Sequence, residues 1–263
     1  MLDVSEYERL LERPEGSPAM LQNWRDLLFM HFSVEPEELV GLIPSGLTLD
    51  TYPDAYGQEM AWIGLVPFRV EGFRLPFTPP IPGVSNFPET NVRTYVHANC
   101  HNPGVWFFSL DAGKWVAAMA GKLTYHLPYY HAQMEVRDEA NIFEYDSDRL
   151  EGPIARSSIR VRAGLAEYVS QPESLDYFLT ERRILYSVYG GELYSAHIHH
   201  PRYLIGDAVL RKCNESLMKA NKLPERDWEH TCFSPGVNVE AFPLRRVTET
   251  QGIPLRAGQA EML

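Results

Sequence analysis

The chain is poor in lysine. Lys114, Lys122, Lys212, Lys219 and Lys222 are its whole supply, and the first 113 residues have none. Amine catalysis, in which a lysine condenses with a carbonyl, therefore has few candidates. Cysteine is scarcer: Cys100, Cys213 and Cys232 are odd in number and show no C-x-x-C spacing. Nothing in that pattern reads as a disulfide framework or a thiolate zinc site. Positive charge is short as well, with 24 Lys and Arg against 35 Asp and Glu, for a formal net charge of −11. Such a balance argues against nucleic acid, whose phosphates call for a basic face, and against anionic lipid. No apolar run approaches the roughly 20 residues that span a bilayer. The opening "MLDVSEYERLLERPEGSP" is charged throughout and does not read as a signal peptide. The spacings G-x-G-x-x-G and G-x-x-x-x-G-K-[ST] are missing too, so nothing supports a nucleotide fold. These absences predict a soluble cytoplasmic protein with no cofactor, no nucleic-acid partner and no membrane partner.

What is present is an ordinary globular balance of 44% hydrophobic and 22% charged residues. With no internal repeat or linker, the expectation is a single domain over residues 1–263, of which 1–20 form an N-terminal helical extension. "SEYERLLE" (5–12) reads as a helix with Ser5 and Glu8 in a capping box. "LLFMHFSV" reads as a buried strand and "PEELVGLIPSG" as a helix begun by Pro36 and ended by Pro44 and Gly46. "LTLDTY" and "MAWIGLVPFRV" suggest a hairpin around "PDAYGQE", and the proline-rich stretch 74–88 an irregular loop. "ETNVRTYVHA" pairs naturally with "GVWFFSLDA", after which Asp111 is placed to cap the helix "GKWVAAMAGKL". Further strands are expected at "PYYHAQMEV", "NIFEYDS", "SSIRVRAGL" and "ILYSVYGGELYSAHIHH", and helices at "ESLDYFLTER" and "GDAVLRKCNESLMKANKL". Many strands with a few helices between them give an α+β fold built mainly on antiparallel sheet.

Four blocks occur together in a recognisable order: "NFPETNVRTYV" (86–96), "GVWFFSLDA" (104–112), "LPYYHAQM" (127–134) and "FLTERRILY" (178–186). They resemble the YqjF-like family known as domain of unknown function 2071, from about Trp24 through "HIHHP" (197–201) and on to "GVNVEAF" (236–242). That family is similar to the acetoacetate decarboxylases, whose fold is a conical antiparallel β-barrel with flanking helices and an active site inside. The resemblance implies such a barrel here, with an internal pocket for a small apolar or carbonyl- or carboxylate-bearing metabolite, and a possible homo-oligomer. It implies no required metal.

The decarboxylase site itself looks altered. Where those enzymes carry their Schiff-base lysine, the matching segment is "GKLTYHLPYY" (121–130), with Tyr129 and Tyr130 at the lysine positions. A phenol cannot form an iminium, so amine-dependent decarboxylation is not expected. The matching arginine is replaced by Ser33, while Glu89 resembles the site glutamate. The candidate catalytic pair is Tyr129, polarising a carbonyl, with Glu89 as proton acceptor. Tyr130, His131, Asn91, Arg93, Ser33 and His126 are candidate ligand-binding residues. Alternation along a strand allows only one of the two tyrosines to face a cavity, with Tyr129 favoured and His131 on its face. The same alternation puts Glu89, Asn91 and Arg93 on one face, where an Arg93–Glu89 ion pair is the plain structural reading. His197 and His199 share a strand face but lack an identifiable third metal ligand, so no metal is expected. Glu181 and Arg182 in "TERR" read as structural. The alternative reading of the whole is an enzyme using Tyr/Glu acid–base chemistry on a carbonyl substrate, in enolisation, hydration or C–C bond chemistry.

Overall fold

The computed structural model describes residues 2–248. In chain order the elements are α1 (Val4–Glu8), β1 (Met20–Val34), α2 (Pro36–Val40), β2 (Thr48–Leu49), β3 (Tyr52–Pro53), β4 (Glu59–Arg74), β5 (Phe87–Ala98) and β6 (His101–Ala112). They continue with α3 (Trp115–Thr124), β7 (Tyr129–Glu139), β8 (Ile142–Arg149), β9 (Arg156–Ala163), β10 (Tyr168–Val169), α4 (Leu175–Thr180) and β11 (Ile184–Tyr189). The last are β12 (Glu192–His199), β13 (Leu204–Glu215), α5 (Leu217–Ala220), β14 (His230–Ala241) and β15 (Arg245–Arg246). The fold is α+β and mainly antiparallel; among the described pairings only β6–β7 and β6–β11 are parallel.

Hydrogen-bonded neighbours close on themselves. The path β1–β4–β5–β6–β11–β12–β14 returns to β1, making a ring. A second circuit leaves β6 through β7, β8, β9 and β13 and rejoins at β14. Strands β14, β1, β4, β5 and β6 therefore belong to both circuits, and where the two circuits overlap, as over Leu27–Phe32 of β1 and Ala61–Phe68 of β4, both faces are buried. That explains why "LLFMHFSV" reads as one continuous apolar run rather than as an alternation. Along β1, Leu27 and Phe29 join the core of the first ring, whereas Leu28, Met30 and Phe32 join that of the second circuit. β9, which lies outside the first ring, shows the plain alternation of buried and exposed residues.

Three tight hairpins set the registers. The connections β5–β6 (Asn99, Cys100), β7–β8 (Ala140, Asn141) and β11–β12 (Gly190, Gly191) each place two consecutive residues at positive φ. Such turns carry the right-handed twist that antiparallel neighbours need. The proline-rich segment between β4 and β5 is irregular, as its composition predicts.

Several expectations are corrected. "GDAVLRKCNESLMKANKL" is mostly strand β13, with only the one-turn helix α5, because Ala208–Glu215 pair along β9 and tertiary pairing overrides helical propensity. Helix α1 is capped by Asp3, whose Oδ1 accepts from the Ser5 backbone N–H at 2.9 Å, rather than by Ser5. α2 is one turn long and carries the capping box itself, on Glu35 and Glu38. "LTLDTY" is split: β2 pairs with β5, and only β3 pairs with β4. Asp111 caps no helix. It ends β6 in the interior, ion-paired at 2.6 Å to Arg149 of β8, both side chains 1% exposed.

Candidate functional site

Inside the first ring lies a cavity of about 110 Å³, walled largely by apolar and aromatic side chains from β1, β4, β5 and β6 and floored by α3. Strand β5 supplies its polar side. Pleating turns Glu89, Asn91 and Arg93 to this face while Val92 packs into the other core. From the parallel neighbour of β6, Tyr129 faces the same space, and its hydroxyl donates to Glu89 Oε2 at 3.1 Å. Gly121 of α3 makes room for the ring: a Cβ there would sit 2.3 Å from Tyr129 Cε2.

Electrostatics follow from burial. Desolvation pushes the Glu89 carboxyl up to about 8; the Tyr129 hydrogen bond pulls the other way, and nearby Asp111 adds to the rise. Glu89 is therefore mainly a neutral acid at pH 7. The Tyr129 phenol is raised well above its ordinary value by desolvation and by Glu89, so it remains a donor. Arg93 makes no ion pair with Glu89. Its Nη2 donates to the Leu179 carbonyl at 3.1 Å, and its guanidinium lies 5.6 Å from the Phe29 and Tyr95 ring centres. Arg93 Nε and Asn91 Oδ1 have no protein partner. The plain ion-pair reading of this strand is thus corrected.

Arg182 also reaches the cavity wall, a position its charged "TERR" setting did not announce. It is charge-balanced by Asp50 at 2.6 Å, with both side chains 1% exposed. Tyr7 donates to the same Asp50 oxygen at 2.6 Å, and the guanidinium packs 4.3 Å from the Phe178 ring centre. Glu181 pairs with Arg183 at 2.7 Å and does not line the cavity. Tyr125 and Tyr203 line the cavity as well, and no local pattern marked either.

Four candidates stand away from this space. Tyr130 points to the opposite face, stacked 4.0 Å from the Arg149 guanidinium and backed by Gly152, because strand neighbours alternate. His131 is beyond the cavity wall, its backbone N–H donating to Glu151. His126, at φ 53, stacks on Tyr189 with ring centres 4.1 Å apart. Ser33 donates to Glu229 at 3.0 Å. None of the five lysines lines the cavity, and Lys122 is ion-paired to Glu151 at 2.7 Å. His197 and His199 lie on β12 with ring centres 6.4 Å apart, and burial lowers His197 to about 4.

Comparison with known proteins agrees with this architecture. The chain is 38% identical to the uncharacterized protein YqjF of Bacillus subtilis (strain 168) over 235 residues, 89% of this chain and 94% of that protein. Its fold is similar to the crystal structure of acetoacetate decarboxylase from Legionella pneumophila, at TM-score 0.59 and 11% identity, covering 94% of this chain and 96% of that one. It is also similar to an acetoacetate decarboxylase-like enzyme from Sphingomonas wittichii RW1, at TM-score 0.59 and 11% identity, covering 88% and 94%. No helix among the described residues is long and apolar enough to cross a membrane. With residues 21–238 matching the family of uncharacterized conserved proteins called DUF2071, the chain belongs to that family.

Proposed function

We propose that the ring is a receptacle for a small carboxylate- or carbonyl-bearing metabolite and performs no amine catalysis. One observation carries this reading: Arg93 is a buried cation on the cavity wall with no carboxylate partner among the described residues, and Asn91 beside it keeps an unpartnered carbonyl oxygen. A buried charge is costly unless a counter-charge meets it. A small organic acid supplies that counter-charge, and the aromatic wall covers its apolar part. The volume fits this scale, since cavities of about 150 Å³ already take up benzene.

Native mass spectrometry of the purified chain, followed by calorimetry with a panel of short 2-oxo and 3-oxo acids, tests the reading. Binding of at least one acid is expected, weakened at least tenfold in Arg93→Leu, an effect in the range for a hydrogen bond to a charged group. Binding unchanged in that variant removes the reading. Borohydride added with acetoacetate should leave no covalent mass adduct; an adduct on Lys114 or Lys122 would refute the absence of amine chemistry.

The 3.1 Å contact between Tyr129 and Glu89 favours a second reading, an enzyme of acid–base type. A carboxyl raised to about 8 exchanges protons near neutral pH, and a phenol polarises a carbonyl. Turnover of a carbonyl substrate lost in both Tyr129→Phe and Glu89→Gln, with binding retained, would establish it.

A further inference from the structure

Outside the cavity, a second constellation joins two elements. Asp176 of α4 and His230 and Cys232 of β14 each offer a ligand atom, and these atoms all lie within 4.8 Å of one another. The spacing C-x-x-C is not needed, because the fold assembles the set from residues 54 and 56 positions apart. A tetrahedral zinc ion with bonds of about 2.0–2.3 Å needs ligand separations of about 3.3–3.8 Å, within reach by side-chain rotation.

The hydrogen bonds behind His230 supply an independent observation. The Tyr95 hydroxyl lies 2.9 Å from the Leu179 carbonyl and 2.8 Å from His31 Nε2. A carbonyl has no proton, so Tyr95 donates to Leu179 and His31 Nε2–H donates to Tyr95. His31 is fully buried and has no carboxylate partner among the described residues, so it is neutral and its Nδ1 is an acceptor. That Nδ1 faces His230 Nδ1 at 3.1 Å, which makes His230 Nδ1 the donor. The remaining nitrogen, His230 Nε2, then points its lone pair at Asp176 Oδ1, 2.6 Å away. Two acceptors cannot meet at that distance without a cation between them. A proton answers the requirement at 2.6 Å, as an Asp176–His230 ion pair, and a metal ion answers it once the two side chains rotate apart to about 3.3–3.8 Å.

We propose that Asp176, His230 and Cys232 bind a divalent zinc-type cation, the fourth position being filled by water. The surrounding contacts are those of a built site. His230 is oriented through His31 by the buried Tyr95, and Asp176 Oδ2 accepts from Tyr168 at 3.1 Å. Ligands held in this way by outer hydrogen bonds are typical of metal centres. Access is present on one side, with the Asp176 and His230 side chains 25% and 15% exposed, while Cys232 is buried at 2%. Gly64 keeps the orienting pair in place: a Cβ there would fall 2.9 Å from His31 Cδ2 and 3.2 Å from Tyr95 Oη. On binding, the metal takes the place of the proton on His230 Nε2 and of the thiol proton of Cys232, and both protons leave to solvent. The ion would clip α4 to β14 and so hold the Thr180–Arg182 corner against the cavity.

The test uses the untagged full chain, stripped with a chelator and titrated with cobalt chloride alone. One cobalt per chain is expected, with a sulfur-to-cobalt charge-transfer absorption. Cys232→Ser should abolish that absorption and weaken binding at least tenfold, and His197→Asn should alter neither. Should Cys232→Ser fail to fold, Asp176→Asn on the partly exposed helix carries the test, with binding weakened at least tenfold at an unchanged circular dichroism spectrum. The proposal is overturned by a wild-type chain that takes up no stoichiometric cobalt, by a charge-transfer band that survives in Cys232→Ser, or by unchanged affinity in Asp176→Asn.

Discussion

Glu89 concentrates the chemistry of this chain in one proton. Its carboxyl is raised to about 8 by burial, against about 4.5 in an unfolded chain. Between those values the unfolded state has released a proton that the folded state keeps, so stability falls as pH rises from about 4.5 to about 8. The penalty amounts to a few kcal/mol at the upper end. Glu89→Gln removes the titration while leaving an oxygen to accept from Tyr129. The thermal midpoint of the variant should therefore exceed that of the parent at pH 8, and the difference should shrink at pH 5. A parallel offset at both values would show that Glu89 does not titrate as argued. Tyr129→Phe has the opposite character. It deletes the hydrogen bond that lowers the Glu89 value, so the Glu89 titration followed by carbon-13 NMR should move upward, at a stability cost of about 1 kcal/mol.

Between neighbouring elements the decisive contacts are ion pairs and glycines. Asp111 and Arg149 tie β6 to β8 with both side chains 1% exposed. Asp111→Ala should cost roughly 3–5 kcal/mol in urea unfolding, because Arg149 would remain a buried cation, whereas replacing both by apolar residues should cost far less. Gly121→Ala should cost about 1–3 kcal/mol, since the Tyr129 ring it would strike belongs to a packed wall. This scale also shows what a sequence discloses. Period-two alternation placed Tyr129 and Tyr130 on opposite faces and aligned Glu89, Asn91 and Arg93, because these relations are local to one strand. The partner of Asp111 was hidden because Arg149 arrives from another strand, and β13 was misread because its pairing with β9 is invisible in its own residues. Arg182 reaches the cavity from the segment just ahead of β11, held there by Asp50, and no short motif encodes either that ion pair or the parallel contact of β11 with β6.

For the molecule as a whole, the two circuits predict a graded resistance to opening. Strands β1, β4, β5, β6 and β14 are shared by both, and opening them exposes residues of two cores at once. Native-state hydrogen exchange should be slowest along β1–β4 and β5–β6 and fastest in the two-residue strands β10 and β15. Fast exchange in β1 would contradict the closed arrangement. The register Met20↔Ala241 through His31↔His230 carries one last consequence, for synthesis on the ribosome. The strand that emerges earliest in the ring must wait for residues 230–241 before it acquires its final neighbour. Until then its apolar edge lacks that partner, the kind of exposure that leaves a partly made chain prone to aggregation.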